Sequence, residues 1–174
     1  MSELDEAWAL ALAEAESRAR LSGRRDVAEY LALRNSNDLL RRTGIEWLIA
    51  TFETLAAQAN RRGASIQIKR EDSHRFRAGN STMVGRRLIL RFGVRQLSVE
   101  AGWPRTPQDG VVRGGGLASA NIRHLGIKAA GEALRLVQSQ QGAPSWVVGD
   151  KGEGQAEIHE TTLRKHIATL LASG

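Results

Sequence analysis

Cysteine is missing altogether from this chain, which removes disulfides, thiolate metal sites and thiol nucleophiles from the available chemistry. No apolar run approaches the roughly 18 residues that a membrane-spanning helix needs, so no membrane partner is expected. The first residues, Met1-Ser2-Glu3-Leu4-Asp5-Glu6, are acidic and lack the basic-then-apolar order of a secretory signal. A cytoplasmic location follows as the expectation, and the sequon Asn80-Ser81-Thr82 then reads as a chance match. Aromatic residues are few, at three Phe, one Tyr and four Trp, and the aromatic strand motif of ribonucleoprotein-type RNA binders does not occur. Neither phosphate-cradling glycine signature is present, G-x-x-x-x-G-K-[ST] or a G-x-G-x-x-G joining strand to helix. Gly149, Gly152 and Gly154 sit beside Asp150 and Glu153, which repel phosphate, so that stretch reads as a hairpin turn. Among His74, His124, His159 and His166 no pair has the i, i+4 spacing of a helical zinc site. No metal and no cofactor are expected.

What is present is a basic balance. Lys plus Arg number 25 against 19 Asp plus Glu, for a formal net charge of +6. Of the cations, 21 are arginine, whose guanidinium fork pairs bidentately with phosphate and stacks on planar groups. A GC-rich coding bias produces the same arginine excess, and net charge bears on association more than on fold. At 174 residues the chain is expected to form one domain, 1–174, large enough for a real core.

The spacing of apolar residues changes twice along that domain. Up to about residue 62 it is helical: Leu4, Trp8, Ala11, Leu12, Ala15 and Ala19 share one face, with Ser2 as a cap and Gly23 as a stop. Asp26 and Glu29 have capping-box spacing and open a short second helix. Thr43-Gly44-Ile45-Glu46 is a further capping box, followed by the stripe Ile45, Leu48, Phe52, Leu55 and Ala59 and a left-handed cap at Gly63. Leu39 and Leu40 extend this third helix backward if Gly44 is tolerated, at about 1 kcal/mol. From about 64 to 158 the period is two. Strands are expected at 65–69, at 87–92 and 94–99 around Gly93, at 118–124, 134–137 and 146–148. A last helix, about 159–172, presents Leu163, Ile167, Leu170 and Leu171. This order gives an α+β fold, with N-terminal helices and one C-terminal helix on a mainly antiparallel sheet of five to seven strands.

Two stretches are candidates for function. Glu100 to Gly110, running on to Arg113-Gly114-Gly115-Gly116, holds two of the three prolines and reads as a long loop after a strand. Trp103 and Arg105 there suit an anionic planar ligand, although Trp103 before Pro104 equally suits a core plug held by a stiffened backbone. The other stretch interleaves Arg75, Phe76 and Arg77 and adds Arg86 and Arg87, in the manner of a nucleic-acid surface. The first functional reading is therefore a non-enzymatic binding module for nucleic acid or another polyanion, using Arg75, Arg77, Arg86, Arg87, Arg105 and Arg113. A second reading is a small hydrolase or lyase at the 100–116 loop, with Glu100, Asp109 and His124 moving protons on an anionic substrate. It requires those side chains to converge, and His124 to have an orienting partner. A third is a homodimeric interaction domain using a second apolar face near Trp8 and Leu10.

Overall fold

Two helices lead the chain, α1 (Glu3–Leu21) and α2 (Arg25–Arg61). Six strands follow: β1 (Gln67–Ala78), β2 (Ser81–Phe92), β3 (Arg95–Trp103), β4 (Ala118–His124), β5 (Ile127–Gln138) and β6 (Pro144–Val148). Helix α3 (Glu160–Leu171) closes the order. The computed structural model describes residues 3–21, 25–149 and 156–172. The expected Ser2 cap, the Gly23 stop and the turn at 150–154 lie outside the described residues. The strands form one antiparallel sheet in chain order, β1-β2-β3-β4-β5-β6, so the fold is α+β, with helices from both ends of the chain on a six-stranded meander. Among the described residues no helix is long and apolar enough to cross a membrane.

The core lies between one face of the sheet and two helices. Ile45, Leu48, Phe52 and Leu55 of α2 and Leu163, Ile167 and Leu170 of α3 meet Leu88, Leu90, Leu97, Val99, Ile122, Leu134, Leu136 and Trp146. These are the stripes that helical spacing picks out in α2 and α3, set against the period-two residues of the strands. Gly63 takes the left-handed conformation, φ 102°, and ends α2 as expected. Asn60 then steers the chain into β1: its side-chain amide donates to the Ile66 carbonyl at 2.9 Å and accepts from the Ile66 amide at 2.7 Å.

Three details differ from the sequence expectation. The second and third helices are one, and α2 runs unbroken through Thr43-Gly44 for 37 residues, about 55 Å at the usual rise. Glycine at 44 is a packing choice. A Cβ there would lie 2.6 Å from Cδ1 of buried Leu136, and the Gly44 carbonyl accepts the indole N–H of Trp146 at 2.9 Å. The helix comes down on the sheet at this point, and tertiary contact overrides the local cap signal. Secondly, β1 runs on to Ala78 and β2 starts at Ser81, which makes the arginine-rich stretch a long hairpin. Thirdly, Glu100 to Trp103 belong to β3, so the loop begins only at Pro104 and carries two short 3-10 turns, Pro107–Asp109 and Arg113–Gly115.

Candidate functional site

Trp103 ends β3 and is 7% exposed within the core. The guanidinium of Arg105 lies 3.6 Å from the centroid of its ring, a cation–π stack, and donates to the Val84 carbonyl at 3.3 Å. The loop beyond is braced. Asp109 accepts the backbone amides of Thr106 at 3.0 Å and Arg105 at 3.1 Å, and these bonds, the Thr106 amide foremost, hold its carboxyl below the ordinary aspartate value. Ser81 donates to the Val111 carbonyl and accepts the Val111 amide, at 2.8 and 3.1 Å. Asp109 thus fixes the loop.

A groove opens on each side of the Trp103–Arg105 stack. The first, about 700 Å³, lies between the flank of α2 (Leu39, Thr43, Trp47) and the β1–β2 hairpin (Asp72, Val84, Arg86), and its lining is mostly apolar. The second, about 740 Å³, lies between the N-terminal half of α2 (Tyr30, Leu33, Arg34, Asn37, Arg41), Trp8 of α1 and the 103–116 loop. Trp103 and Arg105 line both. Arg34 stacks on Trp8 at 5.1 Å. Arg41 is tied to Asp38 at 2.7 Å and to the Leu117 carbonyl at 2.8 Å. In the first groove Arg86 pairs with Glu46 and, at 3.8 Å, with Asp72. The buried Nε of Arg42 has no hydrogen-bond partner among the described residues. Five arginines (34, 41, 42, 86 and 105) against three carboxylates (38, 46 and 72) leave the two grooves cationic.

The remaining arginines do not form one surface. Arg87 points to the face away from the helices and binds Glu71 at 2.8 Å, whereas Arg86, its neighbour in the strand, points to the helices. Lys69 and Arg87 hold the Glu71 carboxyl below its ordinary value. Arg75 and Arg77 lie on β1, Arg75 within 3.8 Å of Asp109 and Arg77 donating to Thr82 and to the Asn80 carbonyl. Arg113 lies beside Gly79 at the same corner.

Glu100, Asp109 and His124 occupy three separate places. Glu100 sits on the sheet face away from the helices, 6% exposed. It accepts from His74 Nε2 at 2.9 Å and Asn121 at 3.0 Å and pairs with Arg123 at 3.1 Å. His124 sits on the helix-covered face, buried beside His166 of α3. Its Nε2 lies 2.9 Å from His166 Nδ1, and His166 Nε2 lies 3.2 Å from Glu132 on β5. The carboxylate only accepts, so His166 donates to it from Nε2, and in its neutral form the ring accepts from His124 at Nδ1. Burial, and then the neighbouring His166, lower the His124 pKa. The orienting partner that sequence reasoning asked for is therefore present, 42 residues away on another element, and only tertiary structure reveals it. The leucine spacing of the last helix carried a partial signal, since His166 directly precedes core residue Ile167. No family model, no curated protein and no solved structure matches this chain.

Proposed function

We propose that this protein is a non-enzymatic binding module that receives an acidic, amphipathic helical segment of a partner protein across the Trp103–Arg105 stack. The observation that carries this reading is the sharing of Trp103 and Arg105 by two large, mainly apolar grooves. Concave apolar surfaces with a few convergent polar groups are the usual places for ligands. Tyr30, Leu33 and Leu39 beside them are more than 60% exposed, and adjacent exposed apolar side chains favour a protein or peptide ligand. The arginine excess gives the sign of the partner. An acidic residue reaching the buried Nε of Arg42 would satisfy a donor that is costly to leave unmade.

Nucleic acid is the weaker alternative, because Arg86 and Arg87 are engaged by Glu46, Asp72 and Glu71 and face opposite sides of the sheet. A synthetic helix with leucine on one face and glutamate on the other tests the proposal, alongside its lysine counterpart with the same apolar face. The glutamate peptide should bind saturably, more weakly as salt rises, and the lysine peptide should not. Arg105→Ala should weaken the binding. Equal binding of both peptides, or of neither, overturns the reading. Saturable binding of mixed single- and double-stranded oligonucleotides at low salt, with no peptide binding, replaces it with the polyanion reading. A stable dimer by light scattering that excludes the peptide replaces it with self-association.

A further inference from the structure

The strands β4 and β5 part company near their turn. Ile122 pairs with Glu132 and His124 with Ile127, so residues 128–131 of β5 stand opposite the single residue 123 of β4. Gly131 makes this possible, because a Cβ there would already lie 3.0 Å from the Ile122 carbonyl. The splay opens a cavity of about 380 Å³, lined by His124 and Glu132 from the helix-covered face, by Asn121 and Arg123 from the other, and by Lys128 of the splayed segment. That size lies within the small-ligand range. The cavity is separate from the Trp103 grooves, and nothing proposed for them uses it.

Its two walls have complementary chemistry. Arg123 and Lys128 are exposed cations; Arg123 shares one of its nitrogens with Glu100 at 3.1 Å and keeps other donors of its fork. On the opposite wall the chain Glu132–His166–His124 fixes the tautomer of His124. With Nε2 donating to His166, Nδ1 of neutral His124 is an acceptor, uncommitted among the described residues. A ligand that fits both walls carries an anionic group for the cations and a hydroxyl that donates to His124.

We propose that the β4–β5 cavity is a binding site for a small hydroxycarboxylate, held at its carboxylate by Arg123 and Lys128 and at its hydroxyl by His124. The Glu132–His166 pair acts as a positioning element, keeping the acceptor nitrogen of His124 available to the ligand. Lys128 is exposed, so its removal leaves the core intact.

The test is a titration of ring-15N-labelled protein followed by the His124 and His166 resonances, with glycolate, acetate and sulfate as probes. Glycolate should shift the His124 ring saturably and bind more tightly than acetate or sulfate, which both lack a hydroxyl donor. Lys128→Ala should weaken glycolate about three- to tenfold, the scale of one ordinary hydrogen bond in a solvated site. Glu132→Gln should shrink the advantage of glycolate over acetate, because an amide no longer enforces the tautomer. Non-saturating shifts, acetate or sulfate binding as tightly as glycolate, or an unchanged affinity in Lys128→Ala would each overturn the proposal. Peptide binding at the Trp103 grooves is indifferent to all of these variants, so the two proposals fail separately.

Discussion

The two halves of α2 carry the same stripe to opposite ends. From Ile45 onward the stripe faces the sheet, and Ile45, Leu48, Phe52 and Leu55 are buried. Before residue 44 it continues through Arg41, Asn37, Leu33 and Tyr30, but it has run past the sheet, and Leu33 and Tyr30 are each 62% exposed. One helix therefore has a half that holds the fold together and a half that overhangs it and walls a groove. The apolar pattern already thins in the overhang, where Arg41 and Asn37 interrupt it. What separates them is whether a strand lies underneath, and Gly44 marks the boundary, where the helix backbone touches Leu136.

Variants in the buried half should give the largest effects. Phe52 is fully buried between the sheet and α3. Phe52→Ala should lower stability to chemical denaturation by about 3–5 kcal/mol, the range for deleting a buried aromatic. A loss under about 1 kcal/mol would mean that the helix does not press on the sheet in this way. At the boundary itself, Gly44→Ala sets two effects against each other. Helix propensity favours alanine by about 1 kcal/mol, while overpacking a filled site costs about 1–3 kcal/mol. Leu136 is fully buried, and its γ-carbon as well as both methyl groups lies within 3.3 Å of the new atom, so overpacking should win and the variant should melt earlier. A stabilised Gly44→Ala would show that the contact is loose and that the helix is free to shift.

How much of this was legible in the sequence follows the same division. The stripes of α2 and α3 and the apolar alternation of β2 and β3 are residues whose burial and spacing agree, and those elements were readable. Strand β1 was read short because most of Lys69 to Arg77 is charged or polar. As an edge strand it is held by cross-strand and helix pairs such as Arg87–Glu71 and Arg70–Glu53, which leave no apolar period. The continuity of α2 was hidden by a genuine cap signal at Thr43 that tertiary packing overrides. The arginines of 75–87 cluster in sequence and not in space, because alternation along a strand sends Arg86 and Arg87 to opposite faces. The histidine chain joins β4, β5 and α3, and no local pattern announces such a meeting.

Acid should loosen the buried half through that chain. Burial, and then His166, lower the His124 pKa, so the unfolded chain takes a proton at the ordinary value of 6.5 while the folded protein resists it. The unfolded state binds more protons, and stability falls as pH drops below 6.5 toward the lowered folded value. Asp109 and Glu71 also have lowered values, but their contributions are lost only below about their ordinary 3.8 and 4.5, which leaves a window between 6.5 and 4.5 for the histidine. Urea midpoints across that window should decline in the parent protein and decline less in His124→Leu. Equal slopes would remove His124 as the source.

The smallest effect on stability is expected in the overhanging half, where it also says most about function. Leu33 and Tyr30 stand at the groove wall with most of their surface in water, so truncating them removes little burial. Leu33→Ser and Tyr30→Ser should each change the unfolding free energy by no more than about 0.5 kcal/mol, the ordinary range for surface substitutions. Serine sits only slightly below leucine in helix propensity, so the helix itself should survive. Binding of the glutamate-faced peptide should weaken at least about tenfold, a change of about 1.4 kcal/mol, because the apolar anchor is gone while the arginines remain. The contrast with Phe52→Ala is what matters: the same stripe on the same helix gives a stability defect at one end and a binding defect at the other. If Leu33→Ser instead unfolds the protein as Phe52→Ala does, the overhang is part of the core. If it leaves both stability and peptide binding unchanged, the groove is not where the partner sits.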